Sequence, residues 1–92
     1  MAVDRRAVEG YLRQFAESRR GVEAYVEPAT NVTATTVVLI AYDGEWTRRA
    51  LATRKDAFEL GRRLGIPVYD VNQTGYPQRM RDWTSRQRRA EG

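Results

Sequence analysis

The 92-residue chain reads as one α+β domain spanning 1–92. Its elements are expected in the order α-β-β-β-α-β-α, with helices packed on a three- to four-stranded, mostly antiparallel sheet. Three observations predict this class. Apolar residues recur at helical spacing near the N-terminus. Three β-patterned segments then follow one another between residues 22 and 51. Last, a second helical pattern runs through Gly65-Ile66-Pro67 straight into Val68-Tyr69-Asp70-Val71, a tight join typical of a β-α-β crossover.

Each element has its own reason. Asp4 can cap the first helix, and Val8, Tyr11, Leu12, Phe15 and Ala16 form its apolar face, with Glu9–Arg13 set for an i,i+4 pair and Gly21 as its stop. Val22, Ala24 and Val26 alternate with polar neighbours as a half-buried strand ended by Pro28. Thr35 to Tyr42 is apolar on both faces, as a central strand should be. Asp43-Gly44 marks a hairpin in which both turn positions favour positive φ, and Glu45 to Leu51 returns antiparallel. A two-residue loop would set Trp46 opposite Ala41 and a three-residue loop would shift that pairing, so the register stays open. Arg48 shares a face with Trp46, which suits a sheet edge.

Thr53-Arg54-Lys55-Asp56 has the form of a capping box opening the second helix, with Ala57, Leu60, Gly61 and Leu64 as its buried stripe and Gly65 as its cap. Residues 72–92 are expected to be a loop, Asn72-Gln73-Thr74-Gly75, and a short basic helix begun by Pro77, held by Met80 and Trp83 and frayed at its end.

Composition closes several chemistries. Without cysteine or histidine the chain has no disulfide, thiolate nucleophile or zinc knuckle. Only Asp43-Gly44-Glu45 and Asp70-Val71-Asn72 gather hard-cation oxygens, and they read better as a hairpin tip and a strand end. No metal or cofactor is expected. Ser18 and Ser85 have no histidine to activate them. Gly61-Arg62-Arg63-Leu64-Gly65 ends a helix instead of opening one, so it is no phosphate-cradling loop. The start Met1-Ala2-Val3-Asp4 has no secretory pattern, and the longest apolar run, Val37 to Ala41, is far below the ~20 residues of a membrane span. The expected location is cytoplasmic, with no membrane partner.

The positive signal is charge. The net charge of +4 belongs wholly to residues 54–92, which suggests an anionic partner. Arg54 and Lys55 start a helix, where the macrodipole disfavours cations, so phosphates would suit them; Arg62 and Arg63 end the same helix. Arg79, Arg81, Arg86, Arg88 and Arg89, interleaved with Tyr76 and Trp83, form a second basic group. One continuous face made of residues 54–63 and 79–89 would strengthen a nucleic-acid reading. Opposite placement would remove most of that reading's support.

At Gly44-Glu45-Trp46-Thr47-Arg48-Arg49, Ile66-Pro67-Val68-Tyr69-Asp70 and Tyr76-Pro77-Gln78-Arg79-Met80-Arg81-Asp82-Trp83, the chain resembles a family of small uncharacterised actinobacterial proteins. The likeness covers roughly residues 21–83. Some members carry the label oxidoreductase, which implies a cofactor-borne activity that no residue here supports. In α-β-β-β-α order the chain is also similar to double-stranded-RNA-binding domains, with Arg54-Lys55-Asp56-Ala57 at the basic helix start, and to arm-binding domains of phage-type integrases. It departs from the former at Phe58, which interrupts the basic run, in lacking a Gly-Pro-x-His element, and in having a further strand.

The leading expectation is a non-catalytic module that binds nucleic acid or a nucleoprotein through the basic C-terminal half. The alternatives are a protein-interaction or homodimerisation module, with Tyr25, Trp46, Tyr76 and Trp83 as an aromatic patch and the first or last strand as a pairing edge, and the oxidoreductase implied by the resemblance.

Overall fold

A computed structural model describes residues 4–91; Met1–Val3, read above for a leader, and Gly92 lie outside the described residues. The chain forms α1 (Arg5–Ser18), β1 (Glu23–Glu27), β2 (Thr36–Ile40), β3 (Trp46–Ala50), α2 (Arg54–Leu64), β4 (Val68–Asp70), α3 (Val71–Thr74) and α4 (Gln78–Glu91). This is the α+β class that the patterning predicts. Among the described residues no helix is long and apolar enough to cross a membrane.

The sheet order is β3-β2-β1-β4. β2 runs antiparallel to β1 and β3, whereas β4 pairs parallel with β1. It follows that β3 and β4 point the same way from opposite edges, and α2 is the crossover between them. β1, expected to be half-buried, is an internal strand between β2 and β4, with Ala24, Tyr25 and Val26 all buried. The first strand therefore has no open edge; the edges are β3 and the three-residue β4.

Alternation divides the sheet into two faces. Ala24, Val26, Val37 and Leu39 pack with Leu12 and Phe15 of α1 and Ala57 and Leu60 of α2 in the main core. Tyr25, Val38 and Ile40 face the other way, where Trp46, Tyr69, Tyr76 and Met80 pack over them. The molecule is thus a sheet with α1 and α2 on one side and the α3–α4 segment on the other.

The caps follow the sequence with three differences. The Asp4 side chain accepts from the Ala7 N–H at 3.1 Å and Thr53 from Asp56 at 3.1 Å, while Gly65 closes α2 at φ +71°. Helix α1, however, caps at Arg19, and Gly21 (φ +59°) instead turns the chain towards β1. The β2–β3 loop has three residues, since Ile40 pairs with Trp46 and the Ala41 N–H donates to the Glu45 carbonyl at 2.8 Å. Only Gly44 takes positive φ there, and Asp43 does not, because the one left-handed position of a three-residue hairpin falls on the glycine. Asp43 serves the turn by accepting from the Glu45 N–H. Lastly, the expected 72–75 loop contains one helical turn, which the Asp70 side chain caps by accepting from Asn72 at 2.8 Å, and α4 continues for 14 residues to Glu91.

Candidate anion-binding groove on the C-terminal helix

The two basic groups do not form one face. Helix α2 packs on the main core through Ala57 and Leu60, and α4 lies over the opposite side through Met80. The sheet stands between them, so residues 54–63 and 79–89 lie on opposite sides, and this placement removes most of the support that the joint charge distribution lent a nucleic-acid reading.

Arg54 and Arg63 of α2 are used within the fold. Arg54 lies over the Phe58 ring and donates to Asp70 at 3.0 Å. That bond, helped by the Asn72 N–H, holds the Asp70 carboxyl below its usual range. Lys55 is 3.9 Å from Glu59. Arg63 donates to Glu9 from α1 at 2.8 Å, and Arg13 joins it at 3.1 Å; together they hold the Glu9 carboxyl low although burial opposes them. Arg62 is exposed and bonds no carboxylate among the described residues. At the α2 start Arg54 thus answers its dipole cost with a protein carboxylate, whereas Lys55 stays exposed. Sequence spacing does not reveal Asp70 as the partner of Arg54 or Glu9 as that of Arg63.

On the other side, β1 presents Glu23, Tyr25 and Glu27 beneath α3 and α4. Glu23 accepts from Tyr25 at 3.1 Å, Tyr69 at 3.4 Å and Arg79 at 2.5 Å. Glu27 accepts from Arg48 at 2.7 and 3.0 Å and also from Thr36 and Tyr76. Tyr25 is 6% exposed, and burial, then the Glu23 charge, raises its pKa, so its hydroxyl stays a donor. This polar layer went unrecognised in the sequence. Its legible trace is the alternation of Glu23, Tyr25 and Glu27 opposite the apolar Ala24 and Val26.

The expected aromatic patch is part of the same packing. Trp46 donates its indole N–H to Thr84 at 3.0 Å, Tyr76 bonds Glu27, and Trp83 lies against Gly44; all three are half-buried.

Helix α4 carries two arginine pairs at seven-residue spacing. Seven residues return a helix to within about 20° of the same flank, whereas two residues turn it by about 200°. Arg79 and Arg86 therefore share one flank, and Arg81 and Arg88 share nearly the opposite one. The first pair fastens the helix: Arg79 donates to the Ala41 carbonyl at 3.0 Å as well as to Glu23, and Arg86 donates to the Asp43 carbonyl at 2.9 Å. The second pair bonds no carboxylate among the described residues; Arg81 touches only Gln78, at 3.1 Å. Arg89 is exposed. Arg81 and Arg88, with Tyr76, Met80, Thr84 and Ser85, line an open groove of about 310 Å³. Its lining contains two guanidinium groups and three side-chain hydroxyls, those of Tyr76, Thr84 and Ser85, and no carboxylate.

Comparisons of the chain with protein-family models, curated proteins and solved structures find no match.

Proposed function

We propose that this domain is a non-catalytic binding module whose anionic partner is nucleic acid, engaged along the Arg81–Arg88 flank of α4. Arg54, Arg63 and Arg79 donate to protein carboxylates and are left out of the contact set, while Arg86 and Arg79 hold α4 in place. The observation that carries the proposal is the carboxylate-free lining of the α4 groove. Guanidinium groups bind phosphate through forked, charge-assisted hydrogen bonds, and hydroxyls add neutral donors beside them. Repeating phosphates make such a contact sequence-independent and salt-sensitive.

Binding of labelled DNA and RNA, single-stranded and duplex, at two salt concentrations tests the proposal. The expected result is a dissociation constant on the order of micromolar at low salt, weakening steeply as salt rises. Absence of binding at low salt with every nucleic acid would end it.

A further inference from the structure

We propose that the α4 groove takes one unpaired nucleic-acid strand, with a base set against Tyr76 and Met80 and neighbouring phosphates on Arg81 and Arg88; this rests on the nucleic-acid reading above and names its substrate class. The lining is divided by chemistry. Arg81 and Arg88 stand about 10.5 Å apart along the helix axis, and Ser85 lies between them on the exposed side. Those three side chains form a polar rim. Tyr76 has its hydroxyl bonded to Glu27, and its ring packs 6.4 Å from that of Tyr25, so what it offers a ligand is a π surface. Met80 adds an adaptable apolar contact. The hydroxyl of Thr84 accepts the Trp46 indole N–H and keeps its own proton to donate.

A cationic rim over an aromatic and thioether floor suits a ligand that is itself divided into anionic and flat apolar parts. A nucleotide unit has that division, and phosphate alone does not. A duplex holds its bases stacked and paired, so it would meet only the rim, whereas an unpaired strand can turn a base inward. At about 310 Å³ the groove lies at the small end of ligand-site volumes, which fits one nucleotide unit rather than a run of bases.

Fluorescence anisotropy of the full chain with one DNA sequence in three forms tests this: single-stranded, duplex, and single-stranded with abasic positions through its centre. The intact single strand should bind about tenfold more tightly than either other form. Ser85→Asp, which sets a carboxylate on the exposed rim at a residue whose side chain makes no hydrogen bond among the described residues, should weaken single-strand binding by a similar factor while leaving the thermal midpoint unchanged. Equal or tighter binding of the duplex, equal binding of the abasic strand, or an unaffected Ser85→Asp variant would overturn the single-strand proposal while the nucleic-acid reading stands. Failure of all three forms to bind at low salt would remove both.

Discussion

A β-carbon placed on Gly44 would lie 1.9 Å from the carbonyl oxygen of Arg79 and 2.8 Å from the β-carbon of Trp83. The β2–β3 turn and the first two turns of α4 are therefore in contact through a position only glycine can fill, and Gly44 also holds φ +95°. The Gly44→Ala variant should lose about 1–3 kcal/mol from backbone conformation, with the clash against the Arg79 backbone added to it. Thermal unfolding reads the loss, and limited trypsin digestion should cut the α4 arginines sooner. A variant with unchanged stability and an equally protected helix would contradict this docking.

Gly61 and Gly10 give opposite predictions. A β-carbon at Gly61 would stand 2.0 Å from the Val68 methyl, so Gly61→Ala should push α2 from β4 and cost about 1–3 kcal/mol. Gly10 lies inside α1, where an added β-carbon would meet no neighbour within 4 Å outside the helix's own backbone, so Gly10→Ala should stabilise by roughly 0.5–1 kcal/mol. Denaturant midpoints of the two variants should move in opposite directions.

The two flanks of α4 should separate in stability. Arg79→Ala leaves Glu23 and the Ala41 carbonyl without this donor, in a pair whose side chains are only 29% and 26% exposed, and should cost about 1–3 kcal/mol. Arg81→Ala removes only a contact with Gln78 and should stay within about 0.5 kcal/mol of the parent. Urea unfolding of both variants checks the difference, and equal losses would contradict the assignment of flanks.

Acid should destabilise the fold through Glu9 and Asp70. Both carboxyls titrate lower when folded, Glu9 through Arg63 and then Arg13, Asp70 through Arg54 and the Asn72 N–H. Their contribution is present above the ordinary carboxylate range near about pH 4 and is lost as pH falls through the lowered folded values. Tyr25 has the reverse sign: its raised value means stability declines as pH rises beyond about 10. Unfolding midpoints across pH should show both limbs. Arg63→Met should flatten the acid limb, and Tyr25→Phe the alkaline one.

The elements were legible where local physics decides them. Asp4, Thr53 and Gly65 cap as their residue types require, and the alternation of Val22, Ala24 and Val26 marks the core face of β1. What could not be read is what depends on contacts between distant segments. The parallel pairing of β1 with β4 places α2 and α4 on opposite sides of the sheet, and nothing local to Arg54 or Arg79 encodes that. The pairing of Arg54 with Asp70 and of Arg63 with Glu9 is likewise set by the packed fold. The seven-residue spacing of Arg79/Arg86 and Arg81/Arg88 was visible, but only the position of the β2–β3 turn decides which pair is engaged.

The most direct test of the account is the salt dependence of single-strand binding in Arg81→Ala/Arg88→Ala beside Arg54→Ala/Lys55→Ala. Each phosphate contact on a single strand contributes about 0.7 to the slope of log affinity against log salt. The α4 double variant should bind more weakly, with its slope reduced by about 1.4, and the α2 double variant should match the parent. An unchanged slope in the α4 variant, or an equal loss in the α2 variant, would contradict the placement of the nucleic-acid contact on α4.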